Sequence, residues 1–132
     1  MAQKGIYVVS KIKHMHMWRT LREKGVDIVS SWIDDEVPED IDFAEAWTRY
    51  LREVVNAQAV VVYADGGELK GGVLEIGAAL GALIPIWVVG DIESIPALKT
   101  ARHHPAVNLV NHASLADLLV ELSAAQLRKR LS

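Results

Sequence analysis

Residues 60–63, Val60-Val61-Val62-Tyr63, form an unbroken apolar run without a polar position. Side chains of a strand alternate between the two faces of its sheet, so such a run has to be covered on both faces. That condition belongs to the inside of a parallel sheet more than to an antiparallel strand with one wet face. Further strands are read at residues 6–9, 26–33, 85–89 and 107–110, the second interrupted by Asp27, Ser30 and Ser31 and the last by Asn108. Between them lie stretches with helical periodicity. Residues 15–24 place Met17, Trp18 and Leu21 on one side, and Gly25 stops them. Asp42 is a good N-cap, with Glu45 three residues on. After it Phe43, Ala46, Trp47, Tyr50, Leu51, Val54 and Val55 form one stripe.

A third helix is expected after Gly72, with Val73, Leu74, Ile76, Gly77, Ala79, Leu80 and Leu83 as its apolar face. A fourth runs over residues 94–102, with Ser94 as cap and Pro96 in the first turn. Ser114 caps a last one carrying Leu115, Leu118, Leu119, Leu122 and Leu127. Strands alternating with helices predict an α/β fold in three layers, a single domain over residues 1–132. The expected architecture is a flavodoxin- or Rossmann-like five-stranded parallel sheet in the order 2-1-3-4-5.

In that order the switch point lies between strands 1 and 3, and a ligand crevice opens there. It would be lined by residues 10–14, by residues 65–75 and by the loop after strand 2. Two glycine pairs, Gly66-Gly67 and Gly71-Gly72, mark a sharp bend or a close approach before the third helix. Glu75 falls in the first turn of that helix. A carboxylate there complements the helix dipole, which is a purely structural role, or it serves a ligand at the helix start. Ser10, Lys11, Lys13, Asp65, Gly71 and Gly72 are the other candidates for substrate contact. Trp32 either stacks on a base at the crevice or packs in the core.

Sharper motifs are absent. Gly72 stands where a phosphate-binding loop needs lysine, no G-x-G-x-x-G follows the first strand, and no G-x-S-x-G exists. The turn after the first strand, Ser-Lys-Ile-Lys, lacks the acidic residues of a phosphoacceptor domain. Five histidines include the pairs His14 and His16 and His103-His104, neither with Asp or Glu at ligand spacing, so no metal site and no cofactor is expected. Solvated or helix-capping histidine is the better reading. There is no cysteine, hence no disulfide and no thiolate chemistry. A net charge of −3 argues against a nucleic-acid partner. Neither a signal peptide nor a membrane span is legible, and a cytoplasmic protein fits.

The residues that carry chemistry resemble a family. Ile6-Tyr7 in a first strand, then Tyr63 through Gly71-Gly72-Val73-Leu74-Glu75-Ile76-Gly77-Ala78-Ala79, look like the nucleoside 2-deoxyribosyltransferase superfamily, which includes 2'-deoxynucleoside 5'-monophosphate N-glycosidases. The resemblance implies an enzyme that cleaves or transfers the N-glycosidic bond of a deoxynucleoside or deoxynucleotide. Glu75 would be the nucleophile, a small-molecule nucleoside or nucleotide the partner, and a homodimer or larger homo-oligomer the assembly. The transferases usually carry aspartate two residues before the loop glycine and the monophosphate hydrolases a serine; this chain has Leu69. Leu69 favours a second reading, a non-catalytic nucleotide-binding or regulatory domain using the same crevice.

Overall fold

Four of the five apolar runs become strands: β1 (Ile6–Val9), β2 (Ala59–Ala64), β3 (Ile86–Gly90) and β4 (Val107–Leu109). They pair in the order β1-β2-β3-β4, and every pairing is parallel. The structure, a computed structural model, describes residues 5–35, 43–66, 69, 72–109 and 115–122. The helices are α1 (Met15–Glu23), α2 (Phe43–Asn56), α3 (Gly72–Gly81), α4 (Pro96–Thr100) and, over residues 115–122, α5. Ser114 and Asp42, expected as N-caps, lie outside the described residues.

The apolar runs behave as their composition demands. Ile6, Tyr7, Val8 and Val9 of β1, and Val60, Val61 and Val62 of β2, are all at most 1% exposed, so both faces of these strands are covered. Val9 pairs with Val62, which brings the carboxyl ends of β1 and β2 side by side. Helices α2 and α3 pack against each other, and α3 also touches β1 and β3.

The expected five-stranded sheet is corrected to four strands, because residues 26–33 do not form a strand. They meet β1 through a single parallel bridge, Ile6 with Ile28, on the edge away from β2. The edge is closed in another way. Ile6 N–H donates to the Asp27 carbonyl at 2.8 Å, and Val29 N–H to the Ile6 carbonyl at 3.0 Å. Beyond that the backbone ladder stops and side chains take over. Val8 N–H donates to Ser30 Oγ at 2.7 Å, and the Trp32 indole N–H donates to the Val8 carbonyl at 2.8 Å. Ser31–Asp34 then curl into a 3-10 turn. A buried N–H or carbonyl left unpaired costs about 1–3 kcal/mol, so these two side chains do the work a fifth strand would have done. Gly5 permits the close approach: a Cβ there would lie 2.0 Å from Val29 Cγ1.

The fourth helix is also shorter than expected. Ser94 does not cap it: its N-cap is Ile95, without a side-chain cap bond, and Asp91 caps the preceding 3-10 turn over Ile92–Ser94, its side chain accepting from Glu93 N–H at 3.0 Å. Pro96 then opens α4 at its first position.

Two glycines should respond oppositely to alanine. Gly90 ends β3 with φ of 107°, and a Cβ there would lie 2.0 Å from the Ala64 carbonyl oxygen. Gly90→Ala should therefore cost about 3 kcal/mol or more, combining backbone strain with a clash against main chain. Gly77 lies inside α3 with nothing within 4 Å of its missing Cβ. Gly77→Ala should stabilise by about 0.5–1 kcal/mol. Chemical denaturation of both variants checks the pair; equal effects would contradict this geometry.

Candidate functional site

Helix α3 is apolar around most of its circumference, so its own sequence offers little contrast to orient it. Packing turns Gly72, Glu75, Ile76 and Ala79 inward. Leu74 is left 57% exposed, with Val73 and Gly77 also outside. The only ionisable side chain of the helix is thus buried, and its longest exposed side chain is a leucine. The start of α3 is pinned to β1: a Cβ on Gly72 would meet Val9 Cγ1 at 2.7 Å, so only glycine lets the helix approach this closely.

Glu75 is 7% exposed, and its neighbour from β1 is Tyr7, fully buried. The phenol stands close enough to favour the carboxylate, yet neither Tyr7 Oη nor Glu75 Oε2 has a partner with hydrogen-bond geometry among the described residues. Burial raises the Glu75 pKa to about 7; Tyr7 opposes the shift and the charge of Glu53 adds to it. The Tyr7 hydroxyl is pushed far above its ordinary range by burial, and then by Glu75. Glu53 comes from α2. Its Oε1 accepts from Ser31 N–H at 3.1 Å and Ser31 Oγ at 3.0 Å. Burial raises its pKa as well, against those two hydrogen bonds.

A second polar group sits at the ends of β1 and β2. Asp65, just after β2, is bridged by Lys11 Nζ at 3.1 Å, Lys13 Nζ at 3.5 Å and His14 Nε2 at 2.8 Å. The His14 ring stands edge-on to Tyr63 with centroids 4.9 Å apart. The Trp18 indole N–H donates to Ser10 Oγ at 2.7 Å, which fixes the first residue after β1. A third group lies beyond the 3-10 turn at Ser31–Asp34, where Asp35 accepts from the Tyr50 hydroxyl and from Arg49 at 3.1 Å. Burial and then that contact push Tyr50 up to about 12.

The expected residues therefore divide. Lys11, Lys13 and Asp65 come together, with Ser10 beside them. Glu75 and Gly72 lie at the start of α3. Trp32 is 9% exposed, its indole N–H held by the Val8 carbonyl, in the core cluster. Gly71 lies outside the described residues. Leu69 is 5% exposed and packs beside Gly72. The sequence reading gave no site role to Tyr7 or Glu53 and took His14 as solvated or helix-capping, whereas its side chain pairs with Asp65. Tyr7 carried one signal, a phenol in a strand covered on both faces, which needs a polar neighbour. Glu53 sits three residues after Tyr50 on the inner flank of the α2 stripe. His14 gave no local sign, because its carboxylate is 51 residues away. Among the described residues no cluster of His, Cys, Asp or Glu could hold a metal ion, and no helix is long and apolar enough to cross a membrane.

No family model matches the chain, and no curated protein matches it.

The buried acid makes a pH prediction. The pKa of Glu75 is raised on folding, so the folded chain binds this proton more tightly than the unfolded one. Its stabilising effect is fully present below the ordinary glutamate value and is lost as pH rises through about 7. Glu75→Gln, neutral at every pH, should match the parent near about pH 4 and exceed it by up to about 3 kcal/mol near about pH 8. Urea unfolding of both proteins across that range checks it; parallel curves would mean that Glu75 ionises without cost.

Proposed function

We propose that this chain cleaves or transfers the N-glycosidic bond of a deoxynucleoside or its monophosphate, with Glu75 as the nucleophile. The observation that carries the reading is a buried carboxylate beside a buried phenol at the helix start that follows β2, with Glu75 Oε2 and Tyr7 Oη unpartnered among the described residues. A dipole-complementing glutamate would keep its carboxylate in water. Burying one without a partner is costly, and sites of that kind concentrate where chemistry is done.

Glycosidic cleavage passes through a cationic sugar, which a carboxylate stabilises and then captures. With its pKa near 7, Glu75 is ionised in a large fraction of molecules at neutral pH, and a cation brought next to it favours the carboxylate further. The Tyr7 hydroxyl is placed to hold the carboxylate as charge is drawn from it. The covalent sugar is released by water or by an incoming base. Lys11 and Lys13 suit a phosphate on the substrate if one is present. The place of the site supports the reading as well. β1 is flanked by β2 on one side and by the Ile28 bridge on the other, so the order in which the chain fills the sheet reverses at it, the position that binds ligands in open α/β sheets. Counted as a rudimentary edge strand, that segment gives the order 2-1-3-4-5.

The buried Leu69 favours the second reading, a nucleotide-binding domain without catalysis, because an apolar side chain there offers the leaving base no proton. Incubation with the four deoxynucleosides and their monophosphates, followed by separation of free base, decides between them. The enzyme reading expects base release by the parent, a sugar adduct on Glu75 in a quenched reaction, and a fall of about a thousandfold or more in Glu75→Gln. Ligand binding without base release would establish the second reading instead.

We also propose a homodimer or larger homo-oligomer, supported by the exposed Val73 and Leu74 of α3 and Val55 of α2. Light scattering at micromolar concentration should give at least twice the 14.5 kDa of one chain; a monomer mass would end the proposal.

A further inference from the structure

The leaving base sets a demand that Glu75 does not meet. A nucleobase departing from a sugar takes the bonding electron pair with it, and at neutral pH it leaves far more readily when a proton is supplied. Leu69 is aliphatic and buried beside Gly72, so it supplies none. Tyr7 lies beside Glu75, sealed from solvent. The lysines at the crevice are bound to Asp65.

His14 differs from all of these. Its position is fixed from three directions: backbone N–H to the Lys11 carbonyl at 3.1 Å, ring edge to Tyr63, and Nε2 to Asp65 Oδ2 at 2.8 Å. Its side chain is 21% exposed, so it is held by the protein yet open to a ligand. The pairing with Asp65 uses Nε2, and Nδ1 has no partner among the described residues. An imidazole with one nitrogen anchored on a carboxylate and the other open is the arrangement that general acid–base catalysis uses. The dyad stands at the carboxyl ends of β1 and β2, the same edge from which α3 brings Glu75. The charges facing His14 are Asp65 and the ammonium groups of Lys11 and Lys13, which share that carboxylate.

We infer that His14, oriented by Asp65, is the proton donor to the departing base, an inference that rests on the glycosidic reading above. In the first step a Glu75 carboxylate oxygen bonds to the anomeric carbon, the bond from that carbon to the base nitrogen breaks, and its electron pair goes to the base. The imidazolium gives its Nδ1 proton to the base, which leaves neutral. In the second step the neutral imidazole takes a proton from water, or from the incoming base, as its oxygen or nitrogen bonds to the anomeric carbon. The ester bond to Glu75 breaks, restoring the carboxylate and the imidazolium. Asp65 is a positioning residue: it fixes the ring through Nε2.

The test uses whichever deoxynucleoside or monophosphate the parent cleaves fastest. His14→Gln and His14→Ala should each lose about 100-fold or more in the rate of base release. They should also lose the fall of rate on the alkaline side of the parent's pH profile. Imidazole added to the buffer should restore a measurable part of the His14→Ala rate, and none to Glu75→Gln. Asp65→Asn should slow release through kcat, with KM little changed. A parent that releases no base overturns the glycosidic reading and this inference with it. A parent that does, with variants that keep its alkaline limb or gain nothing from imidazole, overturns the role of His14 alone and leaves Glu75 standing.

Discussion

β1 is buried on both faces but has a strand on only one edge, and the rest of the structure is arranged around that imbalance. Its outer edge carries main-chain groups that cannot be left dry and unpaired. Residues 27–29 satisfy the first of them with backbone, and Ser30 and Trp32 satisfy the next with side chains. Because side chains finish the edge, the backbone is released from it and curls at Ser31–Asp34. Ser31 is thereby turned onto Glu53 of α2, and Glu53 in turn lies close enough to raise the pKa of Glu75. The closure of one strand edge thus reaches, through a serine and a carboxylate, into the electrostatics of the buried acid.

The carboxyl edge of the sheet carries two polar centres of different character. One is buried: Tyr7 of β1 and Glu75 of α3, whose Oη and Oε2 have no hydrogen-bond partner among the described residues. The other is half open and over-provided with cations: Asp65 with Lys11, Lys13 and His14. A desolvated carboxylate binds a developing positive charge strongly because water does not compete for it. A cationic rim suits an anionic or hydrogen-bond-accepting ligand. Under the function proposed above, the first would serve the atom that turns positive as a nucleoside or nucleotide loses its base, and the second the acceptors or negative charge at the substrate's periphery.

Much of the fold was legible because β-branched runs and helical stripes report burial directly. The runs at β1, β2, β3 and β4 and the stripe of α2 needed no tertiary knowledge. Residues 26–33 misled for a physical reason: Val26, Ile28 and Ile33 are buried, as a strand would require, but their backbone has one bridge to pair with. Apolarity records that a segment is inside and does not record what its N–H groups bond to. The site was half legible. Glu75, Gly72, Lys11, Lys13 and Asp65 stand out by type and by place at strand ends. Tyr7, Glu53 and His14 acquire a role only from partners contributed by distant elements.

The sequence by itself determined a parallel sheet, through apolar runs that must be covered on both faces, and a glycine-led helix start after β2, through residues that permit close approach. It determined that an acid and several cations would lie at the carboxyl edge, since strand-to-helix turns place them there. Only the tertiary structure decided that α3 turns Glu75 inward and Leu74 outward, because a helix apolar all round has no preferred face until neighbours fill the space. Only it decided that Leu69 is sealed in the core while His14 finds Asp65. Those outcomes depend on which groups meet across the sheet edge, and a residue's own sequence neighbourhood holds no record of the partner that folding brings to it.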